Sequence, residues 1–115
     1  MQSFSQLREA SMLSKMGSTC GRCFEWANKW SVDNFDKTAD HMVVHGLVTN
    51  ASGKTFAHAW IELGNKIFDN TVGEKGISKK AFYAGLKPQK IKKYDPVEAL
   101  GIWLKAKHHG PWHKI

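Results

Sequence analysis

The dipeptide Gly64-Asn65 constrains this chain more than any other feature. It separates two strand-like segments, Thr55 to Leu63 and Lys66 to Thr71, and is a two-residue hairpin signal. A turn there fixes the register: Leu63 faces Lys66, Ile61 faces Phe68, Trp60 faces Asp69 and His58 faces Thr71. Side chains two apart share a face, so His58 and Asp69 become diagonal neighbours on one side of the hairpin. Asn70 then points the other way, beside Ala59. A three-residue loop would exchange the faces and bring Asn70 to His58 instead, so both acceptors stay open.

The flanking segments read as α+β. Met42 to Val48 is short and β-branched, Asn50 to Gly53 has turn chemistry, and together with the hairpin they predict a meander of three antiparallel strands. Ser3 to Met16 spaces its apolar residues as an amphipathic helix closed by Gly17, and Ser18 to Gly21 reads as a loop. A second helix starts near Arg22 or Cys23 and runs toward Val32. Ser78 can cap a short helix from Lys79 to Leu86. Asp95, Pro96 and Glu98 mark the start of a last helix as N-cap, first position and capping-box carboxylate. Val97, Leu100, Trp103 and Leu104 are its expected buried stripe, and Gly110-Pro111 its stop. With 115 residues, no repeat and no linker, residues 1–115 make one domain. The 42% apolar fraction is enough for one core.

Cys23 carries the chemistry. It follows Gly21-Arg22 at an expected helix start, where the helix dipole and Arg22 favour a thiolate. A thiolate needs a base, which His58 supplies, and an acid such as Asp69 holds the imidazole in one tautomer. No apolar run is long enough to span a membrane, and the N-terminus lacks a leader pattern. The expectation is therefore a cytoplasmic protein with Cys20 and Cys23 reduced.

Gly21-Arg22-Cys23-Phe24-Glu25-Trp26-Ala27, Val44-His45-Gly46, His58-Ala59-Trp60-Ile61-Glu62 and Phe68-Asp69-Asn70-Thr71 together resemble the transglutaminase-like core of the papain-like superfamily. The resemblance covers roughly residues 17–72. It implies a papain-like or transglutaminase-like core with N-terminal helices, a small antiparallel sheet and a C-terminal helix. It also implies Cys23 as nucleophile, His58 as general base and Asp69 as orienter, with an acyl thioester formed from a peptide, amide or ester substrate. The backbone N–H of Cys23 is the expected oxyanion donor, with Thr19 and Trp26 considered for the second. The family usually has Pro after the Asp; here it is Asn70. Hydrolysis as a peptidase or amidase is favoured over acyl transfer, with no cofactor and no metal.

Three rival patterns overlap these residues. Cys20-Gly21-Arg22-Cys23 is also C-x-x-C, the motif of a thiol–disulfide oxidoreductase, which wants a buried strand just before it. With His41-x₃-His45 it imitates a zinc site, although seventeen residues between the halves is too long and Met42 to Val44 reads as strand. His109 to His113 is broken by Gly110-Pro111 and reads as a loose tail. Finally, residues 58–115 carry eleven Lys against five acids, out of a net charge of +7. Lys87, Lys90, Lys92 and Lys93 are the densest part, a face for nucleic acid or an acidic protein if the domain binds rather than catalyses.

Overall fold

The computed structural model describes residues 22–36 and 40–115. The expected helix Ser3–Met16 and the loop before Arg22 lie outside them. The described chain forms α1 (Cys23–Asp33), β1 (Met42–Thr49), β2 (Thr55–Leu63), β3 (Lys66–Phe68), a 3₁₀ turn (Gly73–Lys75), β4 (Ile77–Ser78), α2 (Lys79–Leu86), β5 (Gln89–Tyr94) and α3 (Pro96–Ala106). The strands make one sheet in the order β4-β3-β2-β1-β5, with every neighbouring pair antiparallel. The fold class is α+β, as expected.

The hairpin register follows the turn. Leu63 pairs with Lys66 and Ile61 with Phe68, the register that a two-residue turn at Gly64-Asn65 dictates. β1 lies on the other side of β2, with Val44 opposite Trp60 and Gly46 opposite His58. Turn chemistry also holds between β1 and β2, where the Gly53 N–H donates to the Asn50 carbonyl at 3.0 Å.

Strand alternation divides the core between two faces. On one, Val44, Val48, Trp60 and Ile67 pack with Phe82 and Leu86 of α2. On the other, Val43, Ala59 and Ile61 pack with Ala27 of α1, Tyr94 of β5 and Ala99 of α3. Each fully buried Ile, Phe or Val side chain contributes on the order of 1.5–3 kcal/mol. Gly46 permits the tight packing between β1, Trp60 and β5. A Cβ there would lie 3.1 Å from the Gln89 carbonyl oxygen and 3.3 Å from Trp60 Cη2. The β1–β5 register also shifts between His45 and Leu47.

The helix starts agree with their side-chain chemistry. The Ala81 N–H donates to Ser78 Oγ at 3.1 Å. The Glu98 N–H donates to Asp95 Oδ1 at 2.8 Å, and the Asp95 N–H to Glu98 Oε1 at 3.3 Å, a complete capping box.

Four expectations need correction. The sheet has five strands where the sequence predicts three, Ile77–Ser78 and Gln89–Tyr94 adding the other two. The third strand ends at Phe68 instead of Thr71. The α3 stripe is rotated: Val97 and Leu104 are 67% and 69% exposed, while Pro96 and Ala99 are buried. Small residues let α3 lie close to its neighbours, so apolar size misjudged the inward side. That helix also stops at Ala106, capped by Lys107 in the left-handed region, before Gly110-Pro111 is reached.

The tail is not loose. The Asn28 side-chain amide donates to the His109 carbonyl at 2.9 Å, and His113 Nε2 donates to the Lys90 carbonyl at 2.7 Å. Trp112 packs against the α1–α3 face.

Candidate active site

His58 sits mid-strand in β2, and Asp69 is the first residue beyond β3. Both are buried, 1% and 0% exposed. His58 Nε2 lies 2.8 Å from Asp69 Oδ2. An ionised carboxylate only accepts, so the proton between them belongs to Nε2, and Nδ1 is left with the lone pair in the neutral ring. The other carboxylate oxygen, Oδ1, accepts the N–H groups of Thr71 and Val72, each at 2.9 Å. This clamp fixes Asp69 on the loop. Asn70, the alternative third member, is not the residue that takes Nε2.

Cys23 opens α1 and is fully buried. It is held in a disulfide, which overturns the expectation that Cys23 is a reduced thiol. The sequence has one other cysteine, Cys20, which lies outside the described residues. The structure therefore brings His58 and Asp69 together but does not present Cys23 as a thiolate. The body of α1 rests on the Val43–Ala59–Ile61 face, whereas His58 stands on the opposite face with Phe56 and Trp60. Trp26, the residue weighed as a second oxyanion donor, lines a groove on α1 with Lys29, Trp30, Asp33, Asn34 and Glu74.

A polar cluster surrounds the base on its own face. The Trp60 ring stacks on His58 at 5.9 Å and 27°, and its Nε1–H donates to Glu62 Oε2 at 3.0 Å. Tyr83 O–H donates to the same oxygen. Lys93 and Lys79 reach Glu62 Oε1 at 2.9 and 3.3 Å. Burial pushes the Glu62 carboxyl up, but hydrogen bonds from Tyr83, Lys93 and Trp60 outweigh it and hold the group below the usual range. Burial, then the carboxylate beside it, pushes the Tyr83 phenol up. These residues escaped the sequence reading, yet the signal was present: His58, Trp60 and Glu62 alternate along one strand.

His45 is the second feature the sequence hid. It is fully buried on the α1 face, and neither ring nitrogen has a hydrogen-bond partner among the described residues. Phe24, Tyr94 and Trp112 enclose it, with ring centroids at 4.7, 5.3 and 4.8 Å. Burial, with a smaller contribution from His113, pushes its pKa down to about 3. His41 goes elsewhere, to Ser31 Oγ at 2.7 Å. The pair that imitated half of a zinc site is thus divided between two environments. Among the described residues, no group of three or more His, Cys, Asp or Glu is placed to hold a metal.

No family model, curated protein or solved structure matches this chain. Among the described residues, no helix is long and apolar enough to cross a membrane.

Proposed function

We propose that the reduced protein is a cysteine-dependent acyl-group enzyme, a peptidase or amidase built on a papain-like core. The observation that carries this reading is the buried His58–Asp69 pair at 2.8 Å. With Nε2 engaged by Asp69, the reading assigns the proton exchange with the nucleophile to Nδ1.

The chemistry runs in two halves. With the disulfide reduced, the Cys23 thiol gives its proton to His58 Nδ1. The sulfur attacks the substrate carbonyl carbon, and the developing oxyanion takes the Cys23 backbone N–H. His58 then returns the proton to the departing amine or alcohol as the carbonyl re-forms, leaving a thioester. Water, deprotonated by His58, attacks that thioester and releases the acid and the thiol. Asp69 keeps the imidazole in the reactive tautomer and stabilises its cationic form.

Because the body of α1 rests on the face of the sheet opposite His58, this reading requires the reduced Cys23 sulfur, at the helix start, to come within hydrogen-bond reach of His58 Nδ1. A direct test is turnover of activated esters and peptide amides after reduction, for the wild type, Cys23→Ala and His58→Ala. Turnover lost in both variants supports the reading, and wild-type turnover retained by Cys23→Ala removes it.

The disulfide at Cys23 favours a second reading, a thiol–disulfide oxidoreductase using Cys20-Gly21-Arg22-Cys23. Two observations weigh against it. Every strand pairing in the sheet is antiparallel, unlike the parallel βαβ setting of such motifs, and the reading gives the His58–Asp69 pair no task. Cys20→Ser discriminates: it abolishes disulfide exchange but leaves acyl chemistry nearly intact. The lysines of β5 remain a surface for an anionic partner under either reading, although Lys93 is engaged by Glu62.

A further inference from the structure

We propose that the groove between α1 and the 3₁₀ turn is a binding site for a guanidinium cation, the arginine side chain of a peptide. The site stands apart from the acyl-enzyme reading and is tested without turnover.

The groove encloses about 370 Å³ and is lined by Trp26, Lys29, Trp30, Asp33, Asn34 and Glu74. Trp26 and Trp30 are one helical turn apart, so their indoles neighbour each other on α1, and both are only half-buried. Trp30 is held in place, stacked on Phe68 at 5.6 Å and 15° and meeting His41 edge-on at 5.2 Å. The turn that carries Glu74 is anchored as well. The Gly73 N–H donates to the Asp69 carbonyl at 2.8 Å, and the Val72 N–H to Asp69 Oδ1 at 2.9 Å. The walls are therefore set before any ligand arrives, which lowers the cost of binding one.

Charge then selects the occupant. The chain carries a net charge of +7, yet the lining of this groove leaves two acids uncompensated. Lys29 is paired with Glu25 at 2.8 Å, whereas Asp33 and Glu74 have no ion pair among the described residues. Asp33 also ends α1, where the partial charge of the helix is negative and no basic residue stands in the last turn. Two carboxylates beside a helix C-terminus repel anions and attract a cation. The indoles decide which kind. A planar guanidinium stacks on an indole face while its edge N–H groups stay free to reach carboxylates. An ammonium is compact and strongly hydrated, and gains less from the ring.

The test titrates the oxidised, disulfide-bonded protein with blocked Gly-Arg-Gly, Gly-Lys-Gly and Gly-citrulline-Gly into the millimolar range. Binding is read on the indole ¹⁵N–¹H signals of Trp26 and Trp30, assigned with Trp26→Phe and Trp30→Phe. The arginine peptide is expected to shift both signals saturably. Citrulline has nearly the same shape without the charge, and its peptide is expected to leave them in place. The lysine peptide should bind about threefold more weakly than the arginine peptide. Asp33→Asn and Glu74→Gln are exposed changes that keep shape and remove charge, and each should weaken the arginine peptide about two- to fivefold. Asp36→Asn removes an exposed acid outside the groove and should have a clearly smaller effect. Four results would overturn the proposal: no shift of either indole with arginine, equal shifts with citrulline, lysine binding as tightly as arginine, or Asp36→Asn as damaging as the two groove variants. No acyl substrate is present, so an absence of acyl turnover refutes the catalytic reading alone and leaves this result standing.

Discussion

Replacing His45 by leucine should make the protein less sensitive to acid. His45 is encased by Phe24, Tyr94 and Trp112, faces Lys92 in the strand register, and has His113 as its nearest titrating neighbour by charge. Its folded pKa of about 3 lies well below the ordinary 6.5. The fold therefore prefers the neutral ring. That preference is fully present above pH 6.5 or so and is lost as the pH falls toward 3. Between pH 7 and pH 5 the unfolded chain gains most of a proton at this site while the folded chain gains almost none. The loss integrates to about 2 kcal/mol at roughly 1.4 kcal/mol per unit of pKa difference. Leucine abolishes this dependence, and it also removes two buried nitrogens without partners. Urea unfolding at both pH values gives the comparison. The wild type should lose about 2 kcal/mol more stability than the variant over this interval. Parallel pH dependences would refute the argument by showing that the imidazole is hydrated or bonded in solution.

Three other outcomes follow from particular contacts. Gly110→Ala puts a Cβ 2.6 Å from His45 Cε1 and 3.0 Å from Phe24 Cδ1, at a φ of 122°, and should cost at least about 2 kcal/mol in urea unfolding. Asp95→Ala removes the capping box of α3 and should cost about 1 kcal/mol, seen as a lower urea midpoint at an unchanged slope. Asp69→Asn places an amide where the Nε2 proton was accepted. If the acyl reading holds, it should lower kcat by a factor on the order of 10³–10⁴, with a smaller effect on KM.

The hairpin was legible because two residues of turn chemistry fix a register, and a register fixes which side chains share a face. That arithmetic places His58 beside Asp69, where the two side chains meet at 2.8 Å. Caps were legible for the same local reason at Ser78 and Asp95. β5 was not: Gln-Lys-Ile-Lys-Lys-Tyr follows Pro88 and offers no clear apolar alternation. As an edge strand it needs only Ile91 and Tyr94 against the core, while Lys90, Lys92 and Lys93 stay exposed along it. The α3 stripe failed because Pro96 and Ala99 pack inward by being small. Glu62 alternates with His58 and Trp60 along β2, which puts all three on one face. The state of Cys23 depends on the redox potential of its compartment, which the residues around it do not determine.

The central claim is that reduced Cys23 is a nucleophile activated by His58. Its most direct test is the rate of iodoacetamide alkylation at each cysteine of the reduced protein near neutral pH, resolved by peptide mass. The account predicts Cys23 alkylated much faster than Cys20, with that advantage lost in His58→Ala. Equal and slow alkylation of both thiols, unchanged in His58→Ala, would contradict it.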